Sequence, residues 1–154
     1  MKLHRGLGLV IAMIACGPSR PITSTPVAKP LSLAILPAES DVFPDAAAAT
    51  TASLVKAHLT GAETQVSKVS LEVVQLSIEC VDESLTCYVA AGRSLSANRL
   101  LFATFSGTKT ALAVTINQID VDTAAATKTA TKTFASEAEA TKGVAALVAE
   151  ATSP

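Results

Sequence analysis

The chain has 154 residues, with 12 Lys and Arg against 13 Asp and Glu, no Trp, one Tyr and four Phe. A near-neutral chain lacks the basic footprint of a nucleic-acid binder, and so few rings leave no aromatic platform for stacking bases. The length suffices for one domain around one core.

Met1 to Cys16 reads MKLHRGLGLVIAMIAC. Lys2 and Arg5 form a short basic head, and Leu7 to Ala15 form an apolar run far below the roughly 20 residues that span a bilayer. That is the pattern of a secretory signal. The segment Met13-Ile14-Ala15-Cys16-Gly17 resembles the lipobox of bacterial lipoproteins, with Met13 where that family prefers Leu. The resemblance implies cleavage before Cys16 and lipidation of Cys16, which would tie the chain to a membrane. With Gly17 rather than Asp in the next position, it implies the outer membrane, facing the periplasm. The inner membrane and the cell surface are other destinations, and plain secretion is the competing reading. Residues 1–15 are thus expected as signal, 16–30 as a lipid-anchored tether and 31–152 as a single α/β domain. Loss of Lys2, His4 and Arg5 with the signal would leave ten basic side chains against 13 acidic ones.

Gly17 to Pro30 holds four of the seven prolines among Ser, Thr and isolated charges, the composition of a linker. Extended as polyproline II at about 3.1 Å per residue, it would reach roughly 40 Å. The domain begins with Leu31 to Pro37, an apolar run closed by proline that suits a buried strand. Asp45 is a plausible N-cap for an Ala-rich helix ending near Thr60, with Gly61 as its stop. Leu54, Val55, His58 and Leu59 are its larger core candidates. His58 has no Cys or His at metal-ligand spacing, so it reads as a core-edge residue.

Thr64 to Val81 carries two periods. Val69, Leu71 and Val73 alternate as in a strand, while Val69, Val73, Leu76 and Cys80 recur at three and four. We expect an extended Thr64 to Val66 followed by a helix over Lys68 to Cys80, with a strand as the alternative. A second helix, capped by Asp82, places Leu85, Tyr88, Val89, Gly92 and Leu95 on one face, and Asn98 can supply a left-handed stop. Arg99 to Ser106 is a strand covered on both faces. Gly107 can form a type II′ hairpin turn, after which Leu112, Val114 and Ile116 alternate. The phase shift at Ile119 and Val121 suggests a bulge. Thr127 to Phe134 interleaves threonines with Lys128 and Lys132, which suits an exposed edge strand. Ser136 and Glu139 form a capping box for a last helix, with Val144, Leu147, Val148 and Ala151 at helical spacing.

Cys80 and Cys87 are the cysteines that remain beyond the lipid site. In an exported chain an even pair reads as a disulfide, which would pin the two middle helices and stabilise by about 2–3 kcal/mol. Free buried thiols and a redox pair are the alternatives, although the spacing is not C-x-x-C. Asp120 and Asp122 share a strand face and read as a solvated pair beside a turn, or as half a cation site. No G-x-S-x-G and no glycine-rich strand-to-helix turn occurs, so neither a serine nucleophile nor a nucleotide cradle is expected. No cofactor or metal is implied.

The order of elements gives an α/β fold of the α+β type, a small, mostly antiparallel sheet packed against helices. That order and the phrase Arg93-Ser94-Leu95-Ser96-Ala97-Asn98-Arg99-Leu100-Leu101 are similar to envelope lipoprotein modules. These are the amino-terminal domain of the Tol-system translocation protein, the curli-export lipoproteins and the lipoprotein activators of peptidoglycan synthases. The resemblance covers roughly Leu31 to Thr152, and the Val69 to Val81 segment and the cysteine pair depart from it. It implies a non-enzymatic binding or scaffold protein with envelope proteins as partners. A subunit of an oligomeric export assembly is the alternative, and the oligomeric state stays open. Val69 to Val81 carries more apolar side chains than one helix face can bury. The surplus is covered either by Glu83 to Ala97 and the sheet or by a partner, and the second reading puts a partner surface on the helix pair of Lys68 to Asn98, with Leu71 and Ile78 as its candidate contacts.

Overall fold

The computed structural model describes residues 30–57 and 59–153. The signal, Cys16, the tether before Pro30 and His58 lie outside the described residues. Among those described, five strands and four helices follow in the order β1 (Leu31–Ile35), α1 (Pro44–Val55), β2 (Ala62–Val66), α2 (Leu71–Ser77), α3 (Leu85–Ser94), β3 (Arg99–Thr108), β4 (Ala111–Asp120), β5 (Ala125–Phe134) and α4 (Glu137–Thr152). The sheet order is β2-β1-β3-β4-β5. β1 pairs in parallel with β2 and β3, whereas β3–β4 and β4–β5 are antiparallel. The fold is α/β, and its sheet is evenly mixed because the extended segment before α2 joins β1 as a parallel edge.

Both faces of the sheet are covered, by different helices. Leu33, Ile35, Leu101, Leu112, Val114, Ile116 and Phe134 pack against α1 and α4. Ala34, Leu36, Leu100, Phe102, Ile119 and Val121 pack against α2 and α3. This division explains the phase shift in β4. Leu112, Val114 and Ile116 point to one face at one end of the strand, and Ile119 and Val121 point to the other face at the other end. β4 itself keeps its alternation. A register shift does occur beside Gln118 and Ile119, but the extra residue is Thr127 of β5, since Gln118 pairs with Lys128 and Ile119 with Ala126.

Several boundaries move for local reasons. α1 starts at Pro44, whose fixed φ suits the first helical position, and Phe43 rather than Asp45 occupies the N-cap. It ends at Val55, five residues earlier than expected, and Gly61 with φ +77° serves the turn into β2 instead. Ser84, not Asp82, caps α3, its Oγ accepting from the Cys87 N–H at 3.3 Å. Ser96 takes the left-handed conformation expected of Asn98. Asn98 is buried and ties down the domain entrance: Oδ1 accepts from Ser32 N–H at 2.8 Å and Nδ2 donates to Pro30 O at 3.0 Å. The β3–β4 pairing runs through Gly107 and Thr108, so the hairpin turns at Lys109 and Thr110, two residues later than expected.

The α4 cap is close to the expected box. Ser136 Oγ accepts from Glu139 N–H at 3.2 Å, and Glu139 Oε2 reaches back to Ala135 N–H at 3.0 Å. Close packing requires a glycine in the middle of α4, because a Cβ at Gly143 would collide with the Phe134 ring. β5 is an edge strand with Lys128 and Lys132 on the α4 side. Lys132 Nζ sits 5.2 Å from the centroid of Phe134, and Lys128 donates to Ser153 O at 2.6 Å.

Candidate functional site

α2 has seven residues and two apolar stripes on opposite sides. Leu71, Val74 and Gln75 are buried, and Ile78 follows them inward against the α2–α3 cluster. Val73 and Leu76, three residues apart on one helix face, point outward, and Val69, in the segment before the Ser70 N-cap, is exposed as well. Val81, in the loop to α3, lies beside Leu76 and continues the exposed row. Leu76 and Val81 are each 66 % exposed, far more than isolated surface aliphatics need to be. Leu71, expected as a surface contact, is buried, and Ile78, the C-cap, is half-buried against the same cluster, so the most exposed apolar surface rests on their neighbours.

The helix pair is held firmly enough to present this row in a fixed shape. Cys80 and Cys87 are joined by a disulfide with their Cα atoms 5.5 Å apart. The bond links the loop after α2 to the first turn of α3. The buried Gln75 side chain reinforces it, its Nε2 donating to Asp82 O at 3.0 Å. Cys80 N–H donates in turn to Gln75 O at 2.9 Å, and Glu79 turns the chain with φ +55°. α3 is anchored below by Tyr88, whose ring lies 4.7 Å from that of Phe102. Burial raises the Tyr88 hydroxyl above its ordinary pKa, and the nearby Glu83 charge adds to the shift. Ser70, the N-cap of α2, has a buried hydroxyl without a hydrogen bond.

Charge surrounds the apolar row asymmetrically. Glu72, Glu79, Asp82 and Glu83 are all exposed around it, and Lys68 is the sole basic residue between positions 62 and 92. A groove of about 220 Å³ lies between Glu72, Gln75, Leu76 and Val81. A second recess of about 210 Å³ adjoins it, lined by Glu39, Ser40, Glu72, Glu83 and the Ala103–Phe105 stretch of β3. Among the described residues no three His, Cys, Asp or Glu side chains come together as a metal site. No described helix is long and apolar enough to cross a membrane.

Asp120 is not solvated as the sequence suggested. Its Oδ2 lies 2.6 Å from Arg99 Nη1, and its Oδ1 accepts from Thr123 N–H at 2.9 Å. Burial alone would raise this carboxyl. Hydrogen bonds from the Thr123 backbone and side chain, the Arg99 charge and the Asp122 backbone together hold it below the ordinary range. The cluster closes the end of the sheet where Arg99 pairs with Asp120 in register. It is a structural pair.

No family model matches the sequence, and no curated protein matches it. Some solved structures do resemble it. The LpoB C-terminal domain from Salmonella enterica aligns with a TM-score of 0.47 at 13% identity, over 68% of this chain and 82% of that one. The Escherichia coli LpoB C-terminal domain gives 0.41 at 15% identity, over 73% and 88%. A PelC variant dodecamer from Paraburkholderia phytofirmans gives 0.45 at 16% identity, over 80% and 89%. Superpositions this loose are a likeness only, and the functional reading rests on this chain's own residues.

The outward set Val69, Val73, Leu76 and Val81 was hidden in the sequence by the double period of its segment. A helix with two apolar stripes does not reveal which one meets the sheet. The acidic residues at 72, 79, 82 and 83 were the available signal, since they flank the outward stripe.

Proposed function

We propose that the chain is a lipid-anchored envelope protein whose domain faces the periplasm and binds other envelope proteins through the α2–α3 surface. The observation that carries this reading is the outward row Val69, Val73, Leu76 and Val81 on a helix pair fixed by the Cys80–Cys87 disulfide. Aliphatic side chains left in water on a rigid element are characteristic of contact surfaces. Their further burial on binding would add favourable apolar area at the centre of a contact. The anchor is Cys16, by its lipobox-like context, and residues 16–30 give the domain reach from the membrane.

The test is the double variant Val73→Ser with Leu76→Ser. Both side chains are exposed, so its thermal melt should match the parent within a few degrees. In intact cells its formaldehyde adducts with other envelope proteins should disappear. Unchanged adducts in a folded variant would refute the reading. A subunit of an export assembly is the alternative, and light scattering on the purified chain distinguishes it by a stable ring-sized mass.

A further inference from the structure

The α2 surface carries a signature of partner chemistry as well as location, and this step rests on the reading of that surface as a binding site. We infer that it takes a basic amphipathic helix of a partner protein, with aliphatic residues at helical spacing and Lys or Arg along their flanks. Val73 and Leu76 lie about 4.5 Å apart along α2, from about 1.5 Å of rise per residue, and the exposed Val69 lies just before the Ser70 N-cap. Val81 and the groove beside Leu76 widen this stripe to the breadth of a second helix. α2 is a helix and presents no strand edge, so recognition there is by its side chains, as in helix-in-groove binding rather than strand addition.

Charge chooses among the occupants. Glu72, Glu79, Asp82 and Glu83 surround the stripe, and Glu39 extends the acidic surface through the adjoining recess. Acidic rims attract and orient a basic segment and penalise an acidic one. They also repel an anionic lipid surface, which polybasic segments are the ones to seek. Two copies meeting through this same surface would place like charges opposite each other, because a two-fold contact is self-complementary.

The test uses the full chain with methyl resonances of Val and Leu followed by NMR, and three synthetic 18-residue peptides. One has leucines at i, i+3, i+4 and i+7 with lysines elsewhere. The second replaces every lysine with glutamate, and the third scrambles the leucines of the first so that no apolar face exists. The amphipathic lysine peptide should shift Val69, Val73, Leu76 and Val81 and leave Val114, buried on the opposite face of the sheet, unmoved. Its affinity should fall at least tenfold in Glu72→Lys with Glu83→Lys, and should weaken as salt is raised. Equal binding of the glutamate peptide or of the scrambled peptide would overturn the inference, as would no binding of the first. Concentration-dependent shifts of the same methyls without peptide would also overturn it, by making a second copy the occupant. Failure here is separable from failure of the underlying reading. If the peptides fail while Val73→Ser with Leu76→Ser still loses its cellular adducts, the surface stands and the basic partner falls. If that variant keeps its adducts, the surface itself is wrong.

Discussion

Glu137 Oε1 accepts the backbone N–H of Asp45 at 2.8 Å, so the first residue of α4 caps the first turn of α1. The same oxygen accepts from Ala46 N–H at 3.1 Å. α1 needs this help because Phe43, at its N-cap, makes no side-chain hydrogen bond. The two helix starts lie together, and the positive ends of both dipoles share one carboxylate. Glu137→Ala should lower stability by about 1–2 kcal/mol, the usual worth of a lost cap. Glu137→Gln should lose less, since an amide oxygen still accepts. Urea unfolding of the three proteins decides it, and an unchanged midpoint for Glu137→Ala would remove the cap from the account.

The Arg99–Asp120 pair gives the fold an acid limit. Asp120 titrates below its unfolded value, so its contribution is complete above the ordinary carboxylate range, near pH 4 to 5. It is lost as the pH falls through that range toward the native value. Asp120→Asn should cost about 1–2 kcal/mol at pH 7 and much less near pH 3, because the neutral amide keeps one hydrogen bond but not the charge pair. Melting temperatures measured from pH 7 to pH 3 test the sign. A gap between the two proteins that grows on acidification would contradict it.

Reading the elements from the sequence worked where a single period ruled. The strand at Leu31, the doubly covered strand from Arg99 and the capped helix from Ser136 each have one apolar pattern and one pair of end signals. It failed where both sheet faces are covered over different halves of one strand. Leu112 to Val121 then mimics a phase slip that β4 does not have. It also failed at α1, whose cap comes from Glu137, 92 positions away from Asp45 and beyond any local signal. Of the helix expected over Lys68 to Cys80, only Leu71–Ser77 forms, and which of its stripes faces the sheet depends on α3 and β3. That is why Leu71 and Ile78 stood in for Val73 and Leu76.

The disulfide should matter to the surface more than to the sheet. It joins the two ends of the loop that carries Val81, Asp82 and Glu83. Cys80→Ser with Cys87→Ser should lower stability by about 2–3 kcal/mol and speed amide exchange in residues 79–86 more than in β3 or β4. Non-reducing peptide mapping of the native protein gives the direct check on the bond. Two freely alkylatable thiols in the folded, freshly isolated protein would refute it.

The proposed membrane tether depends on Cys16. Cys16→Ala should leave an uncleaved precursor, and the parent protein should carry acyl mass on Cys16 as its first residue. Intact mass spectrometry checks both, and a mature amino terminus elsewhere without added mass would contradict the anchor.

The proposed binding surface is tested most directly by a photo-crosslinking amino acid placed in intact cells at Leu76 or, as the control, at Thr131. Both side chains are exposed, the first on the α2 ridge and the second on the hydroxyl-bearing face of the edge strand β5. The α2–α3 reading predicts a discrete adduct with another envelope protein from Leu76, abolished by Val73→Ser, and none from Thr131. An adduct from Thr131 with Leu76 silent would contradict it and move the contact to the sheet.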